Sequence, residues 1–147
     1  MRINYTAVFA SAVAYWVLGA LWYSPLLFAQ PFIALKGYTP EQVAAMQAQG
    51  HAGEIGLAFL TSLVLAYVLA HFVKFMGAET VAAGALTGFW LWLGFVVTTN
   101  LETVIFEQRP LGLYLINNGY HLVGLLGMGA LLAVWRRERV RVPAYQS

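Results

Sequence analysis

The stretch VAAGALTGFWLWLGFVVTTNLETVIF, residues 81–106, decides the fold class of this chain. It contains one charged residue, Glu102, and as a helix it is long enough to cross the roughly 30 Å of hydrocarbon in a bilayer. Three further apolar runs of similar character occupy residues 5–28, 55–76 and 111–135. None of them shows the alternation of short barrel strands. The sequence therefore predicts an all-α integral membrane protein, with four transmembrane helices in an antiparallel bundle.

The composition supports the same conclusion. Hydrophobic residues make up 61% of the 147 positions and charged residues only 10%, whereas a soluble domain carries about 25% charged residues. So few charges cannot cover a water-facing surface, and lipid is the expected solvent and partner. The chain has no cysteine, which excludes disulfides, cysteine-ligated zinc, iron–sulfur clusters and thiol catalysis. We expect a single transmembrane domain and no soluble domain.

The basic residues predict how the chain is oriented. Four arginines (Arg136, Arg137, Arg139 and Arg141) crowd into the tail that follows the fourth run. With four crossings, Arg2, Lys74 and this tail share one side, and Lys36 and Arg109 lie on the other. Six against two predicts both termini in the cytoplasm of a bacterial inner membrane, with residues 136–147 as a basic cytoplasmic tail. No nucleic-acid partner is expected, because the basic residues are not spread over a folded face.

The longest connection, residues 29–54, contains a helix-start pattern. In Thr39-Pro40-Glu41-Gln42, the threonine is a suitable N-cap, the proline fits the first turn, and the glutamine stands at the reciprocal position of a capping box. A short helix is expected to continue to about Gln49. Val43 and Met46 give this helix a weakly apolar side, so the sequence predicts a short amphipathic helix on the membrane surface.

Polar side chains inside the third and fourth runs are the strongest candidates for a site. Glu102 is the only acidic residue clearly within a span, where a carboxyl group is costly unless it faces the bundle, a partner or water. Thr99 shares its helical stripe. Asn117 and His121 share a stripe of the fourth run, where Asn117 is expected at the depth of Glu102 and His121 about one turn deeper. We expect Glu102, Asn117 and His121 to form a buried polar cluster near the outer leaflet, with Asn118 as a further member.

This predicted cluster has two interpretations, which the sequence leaves open. It is either a site for a ligand or a proton, or a set of interhelical hydrogen bonds that fix packing, each worth about 0.6 kcal/mol in a membrane. A metal site is not expected, because one Glu and one His are too few ligands and His71 lies at the wrong depth. No cofactor is predicted, and no catalytic motif is found.

Small residues predict where helices approach closely. Gly84 and Gly88 form a small-xxx-small motif on the third run, which suits packing within the bundle or between subunits. Gly124 thins the fourth run in the same way. On the first run Gly19 belongs to a stripe with Ser11, Tyr15 and Trp22, for which we expect helix packing or, alternatively, the wall of a pocket beside the polar cluster.

Two elements carry a resemblance to a known family. In the first half these are residues 4–5 and 18–28, with Trp22-Tyr23-Ser24-Pro25 at the centre of the longer stretch. In the second half they are residues 94–95, 106–110 and 115–121, ending in Asn117-Asn118-Gly119-Tyr120-His121. Together they resemble the bacterial membrane family catalogued as domain of unknown function 1761. The resemblance implies a small four-helix membrane protein and assigns no reaction. It adds weight to both elements, which the predicted orientation places at the outer face. One outward-facing vestibule is then expected, surrounded by Trp22, Tyr23, Glu107, Arg109, Asn117 and His121.

The leading hypothesis for function is a non-enzymatic membrane protein that forms a homo-oligomer and holds a small polar site near its outer face. The first alternative is a small proton-linked transporter or channel subunit that uses Glu102 and His121 as a pair. A membrane enzyme acting on a lipid or quinone, and an accessory subunit of a larger membrane complex, are further alternatives.

Overall fold

The computed structural model describes residues 2–135. The predicted cytoplasmic tail, residues 136–147, lies outside the described residues, and so do its four arginines. Within the described part every element is helical, so the all-α prediction is confirmed.

Four helical spans organise the chain. Helix α1 covers Tyr5–Trp22, α2 covers Ala29–Lys36, α3 covers Pro40–Ala48 and α4 covers Ala52–Phe75. Helix α5, Val81–Leu91, passes through a π-helical segment, Trp92–Val97, into α6, Thr98–Ile105, and α7 follows at Leu111–Val134. The spans that are long and apolar enough to cross a membrane are α1, α4, the continuous unit α5–α6, and α7.

Helix α1 ends earlier than the apolar run predicted. A helix continued to Pro25 would press the proline ring against the carbonyl group of Leu21. Instead, that carbonyl oxygen accepts hydrogen bonds from the Ser24 backbone (3.2 Å) and from Ser24 Oγ (2.6 Å). The chain turns back, and the N–H of Phe28 donates to the carbonyl oxygen of Trp22 at 3.1 Å. The residues after Trp22 therefore form a turn that leads into α2.

The long connection holds two short helices. Gly37, with φ of 73°, ends α2 in the left-handed conformation that suits glycine. Helix α3 begins with both bonds of a capping box, from Gln42 N–H to Thr39 Oγ1 (3.2 Å) and from Thr39 N–H to Gln42 Oε1 (2.9 Å). Val43 and Met46 are half-buried. The capping residues thus start a helix at the expected place; its location on a membrane surface stays a prediction.

Glycines bring α5 directly onto α7. A Cβ atom added at Gly84 would meet the backbone of Gly129, and one added at Gly88 would meet the backbone of Leu125. These are backbone-to-backbone contacts, which no side-chain rearrangement can relieve. The small-xxx-small motif therefore packs within one chain.

The core lies where α1, α4 and α7 meet. Its buried residues are largely small, which allows the helix axes to approach closely. They are Val8, Ala12, Tyr15, Ala66, Leu69, Ala70, Val73, Ala78, Leu125, Met128 and Ala133.

Candidate functional site

Helices α1 and α7 are joined by side-chain hydrogen bonds from the middle of α1 to the turn that follows it. Tyr15 Oη lies 2.6 Å from His121 Nδ1, and Tyr23 Oη donates to Asn117 Oδ1 at 2.7 Å. Tyr120 lies between these two pairs and donates from Oη to the carbonyl oxygen of Tyr15 at 3.1 Å. We call Tyr15, Tyr23, Asn117, Tyr120 and His121 the α1–α7 polar cluster.

Aromatic rings hold the cluster in shape. The rings of Tyr15 and Tyr120 stack with centroids 4.7 Å apart, and Tyr23 meets Tyr120 edge-on at 5.7 Å. Gly19 leaves space for Tyr120, because a Cβ atom there would lie 2.8 Å from Tyr120 Oη, and Gly124 leaves space for the Tyr15 ring in the same way. The two glycines therefore serve the cluster as well as the packing of helices.

Trp22 anchors the end of α1 to α7. Its Nε1 donates to the carbonyl oxygen of Ile116 at 2.9 Å, and its ring packs on Phe28 with centroids 4.7 Å apart. A Cβ atom at Gly119 would lie 3.2 Å from the Trp22 ring, so the indole fits against the bare backbone of α7. Trp22 packs beside the cluster and takes no part in its Tyr–His and Tyr–Asn hydrogen bonds.

A second group of polar residues lies on the neighbouring face of α7 and is centred on the buried side chain of Asn118. Asn118 is 3% exposed. Its side-chain nitrogen donates to the carbonyl oxygen of Tyr114 (2.8 Å), and its side-chain oxygen accepts from Asn100 Nδ2 (3.0 Å). Its backbone carbonyl oxygen accepts from Trp92 Nε1 at 2.9 Å. We call Trp92, Asn100, Tyr114 and Asn118 the α6–α7 lock.

The π-helical segment decides which residues reach this lock. Its i→i+5 hydrogen bonds place one extra residue in the turn, so the residues after it are rotated around the helix axis relative to an unbroken α-helix. The face that begins at Gly84 and Gly88 therefore continues at Asn100. Thr99 and Glu102, which an unbroken helix would bring to this face, are exposed.

The prediction that Glu102, Asn117 and His121 form one buried cluster is therefore wrong. Glu102 lies in the last turn of α6, and within residues 2–135 no hydrogen bond or ion pair reaches its carboxylate. Asn117 and His121 turn to α1 instead of α6. The reason is the extra residue in the π-helical turn, together with the availability of tyrosines on α1.

Glu107 and Arg109 lie in the turn between α6 and α7 and pair with each other. Arg109 Nε is 2.6 Å from Glu107 Oε2, and both side chains are 53% exposed. Such a solvent-exposed pair contributes little to stability. In the described part of the chain no hydrogen bond or ion pair connects the two residues to the α1–α7 polar cluster. The vestibule itself stays a prediction.

A groove opens beside the cluster, under α2. It has a volume of about 350 Å³, and its lining residues are Tyr23, Ala29, Phe32, Ile33, Lys36 and Asn117. Tyr23 and Asn117 belong to both the groove and the cluster. Lys36 Nζ lies 5.6 Å from the centre of the Phe32 ring, a cation–π distance. The groove thus offers a positive charge, an amide and apolar walls side by side.

The side chains of this region are suited to hydrogen bonding. The α1–α7 polar cluster contains one imidazole, three phenols and one amide. Among the described residues no group of three or more His, Cys, Asp or Glu side chains converges. His71 is remote from the cluster. Its Nδ1 lies 2.8 Å from the carbonyl oxygen of Tyr67 in its own helix.

Sequence reasoning did not assign Tyr120, Asn100, Tyr114 or Trp92 to a site. Tyr120 carried a usable signal, since it follows Asn117 by three residues and therefore shares its helix face. Asn100 carried none, because its role depends on the rotation introduced by the π-helical segment. Tyr15 was expected to line either a helix contact or a pocket wall, and its ring does the first while its hydroxyl group bonds to His121.

Comparison with known proteins gives one match. The model of a family described as a protein of unknown function (DUF1761) matches residues 6–133. No curated protein and no solved structure matches the chain significantly. The predicted family resemblance is confirmed.

Proposed function

This chain belongs to the DUF1761 family, and from its own residues we propose that it is a non-enzymatic integral membrane protein that binds a small ligand at the α1–α7 polar cluster and the adjoining groove. Its four spans form an antiparallel bundle in a bacterial inner membrane, with both termini in the cytoplasm and the cluster near the outer face. The protein acts as a homo-oligomer.

Exposed apolar side chains support the membrane location. Each of the four spans presents large hydrophobic residues outward, including Phe9 (56% exposed), Leu57 (61%), Trp90 (58%) and Leu115 (60%). Water would oppose this exposure at about 25 cal/mol for each square ångström, whereas lipid chains solvate it. A surface of this kind on every span is typical of a bundle that is surrounded by hydrocarbon.

Contacts between chain ends support the orientation. Asn4 Nδ2 donates to the carbonyl oxygen of Trp135 at 3.3 Å, which brings the start of α1 beside the end of α7. At the other end, Tyr23 meets Asn117. The two ends of the described chain therefore share one side, and the four arginines that follow Trp135 in the sequence favour the cytoplasm for that side.

Unused hydrogen-bonding capacity beside a groove carries the proposal of a ligand site. Within residues 2–135, the side-chain nitrogen of Asn117 and Nε2 of His121 have no hydrogen-bond partner, although the other polar atom of each side chain is bonded. By contrast, Asn118 in the α6–α7 lock has both polar atoms of its side chain bonded within the protein. Polar atoms that keep unused hydrogen-bonding capacity at the edge of a span are expected where a ligand binds.

The proton-linked pair of Glu102 and His121 is not part of this proposal. Glu102 is exposed on α6, whereas His121 faces Tyr15 on α1. Four helices are few to enclose a solute pathway, which is the reason for expecting a homo-oligomer.

Native mass spectrometry of the full-length protein in mild detergent tests the proposal. We expect the wild type to carry a non-protein mass, and Asn117→Ala to lose most of it because the groove loses an amide that it shares with the cluster. The same spectra count the subunits. Thr99→Val, on the outward face of α6, is the matched control and should retain the mass. A wild type that is empty under conditions that preserve weak adducts would contradict the ligand site, and a monomer would contradict the oligomer.

A further inference from the structure

Helix α2 is fixed across the start of α7, so the groove beneath it has a defined shape. A Cβ atom at Gly112 would lie 2.7 Å from Leu35 Cδ1, which shows that Leu35 seats against the bare backbone of α7. On the α1 side, the ring of Tyr23 meets the ring of Phe32 edge-on at 5.4 Å. The groove is therefore held from both sides by close contacts.

The groove presents donors and lacks acidic groups. Lys36 is exposed, and within residues 2–135 it forms no ion pair with a carboxylate. Tyr23 Oη donates to Asn117 Oδ1, which leaves the Asn117 nitrogen as a second donor. A positive charge and an amide N–H at one edge favour an anionic group that has several acceptor oxygens.

The remaining walls are apolar and stand close to exposed hydrophobic residues. Ala29, Phe32 and Ile33 complete the lining. In the turn that leads into α2, Leu26 is 84% exposed and Leu27 is 50% exposed. Apolar side chains displayed beside a basic residue at the end of a span are typical of a segment that lies in the membrane interface. The molecules with direct access to this groove are then membrane lipids.

We propose that the groove between α2 and α7 binds the phosphate headgroup of an anionic membrane phospholipid. Lys36 neutralises the phosphate, the Asn117 nitrogen donates to one of its oxygens, and an acyl chain lies along Phe32 and Ile33. A volume of about 350 Å³ suits a headgroup with the first part of its chains. This inference rests on the proposed function, because it requires the groove to face the lipid interface.

The test uses the full-length protein in a neutral detergent, with lipid binding measured by native mass spectrometry. Phosphatidylglycerol and diacylglycerol, which lacks the phosphate, are added separately. We expect phosphatidylglycerol to bind and diacylglycerol to bind much more weakly. Lys36→Gln should weaken phosphatidylglycerol binding about fivefold, the effect of one basic residue at an anionic surface. Arg2→Gln, which removes an exposed positive charge at the opposite end of the protein, is the matched control and should leave binding unchanged.

The outcomes separate the lipid from other ligands. Equal binding of phosphatidylglycerol by the wild type and Lys36→Gln, with thermal unfolding unchanged, overturns the inference. Displacement of the lipid by millimolar inorganic phosphate also overturns it, since the groove would then recognise a soluble anion. If the wild type carries a different mass that Asn117→Ala loses, the proposed function stands and the phospholipid assignment fails. If it carries no mass and takes up no lipid, both fail.

Discussion

Asn117 and Asn118 are adjacent on α7 and are chemically identical, yet they have different surroundings in the folded protein. Asn118 is buried against α6, with both polar atoms of its side chain bonded to protein. Asn117 is half-buried against α1, and only its oxygen is bonded, to Tyr23. One step along a helix rotates the side chain by about 100°, which places the two amides against different neighbours. The difference teaches that the partner helix, more than the residue type, decides whether a polar group locks the fold or remains available.

The face of α7 that packs on α5 and α6 should be more sensitive to a larger side chain than a position without close neighbours. Gly84→Val would press a side chain onto the backbone of Gly129, which cannot move aside. We expect a loss of about 3 kcal/mol or failure to assemble, measured by reversible unfolding in mixed micelles. Gly127→Val is the control, because a Cβ atom at Gly127 has nothing within 4 Å. Similar losses for both variants would show that α5 does not pack on α7 through Gly84.

The two asparagines should separate by stability. Asn118→Ala leaves Asn100 Nδ2 without its acceptor inside the bundle, so we expect a loss of about 1–2 kcal/mol. Asn117→Ala removes a single bond at an accessible edge and should cost about 0.6 kcal/mol. The measurement is the free energy of unfolding in the same micelles. Equal losses of unfolding free energy, or a larger loss for Asn117→Ala, would contradict the conclusion that Asn118 is enclosed against α6 and Asn117 lies at an accessible edge.

Glu102 should matter least. Its carboxylate is exposed in the last turn of α6, so Glu102→Gln is expected to change stability by less than about 0.5 kcal/mol. It should also leave the ligand mass of the wild type unchanged in native mass spectrometry. A strong loss of stability or of ligand would instead indicate that Glu102 faces a buried partner, as the sequence first suggested.

Much of the fold could be predicted because a run of consecutive apolar residues is enough to identify a long apolar helix. The four apolar runs correspond to four helical units long and apolar enough to cross a membrane, and the capping residues Thr39 and Gln42 start α3 where expected. The end of α1 was misplaced, since the apolar run continues through residues that the proline turns away from the helix. Four of the six residues predicted to surround a vestibule, Trp22, Tyr23, Asn117 and His121, lie in or beside the α1–α7 polar cluster. An unbroken α-helical period describes their helix faces correctly.

The sequence alone determined the number of spans, the apolar surface and the family, because each depends on local composition or on a linear pattern of residues. Only the tertiary structure decided which polar groups meet. Trp92–Val97 winds as a π-helix, and this rotates Asn100 inward and Glu102 outward. The i→i+5 hydrogen bonds of this segment change which side of α5–α6 meets α7. A fixed helical period contains no information about such a local change, so the partners of Asn117 and His121 emerged only from packing.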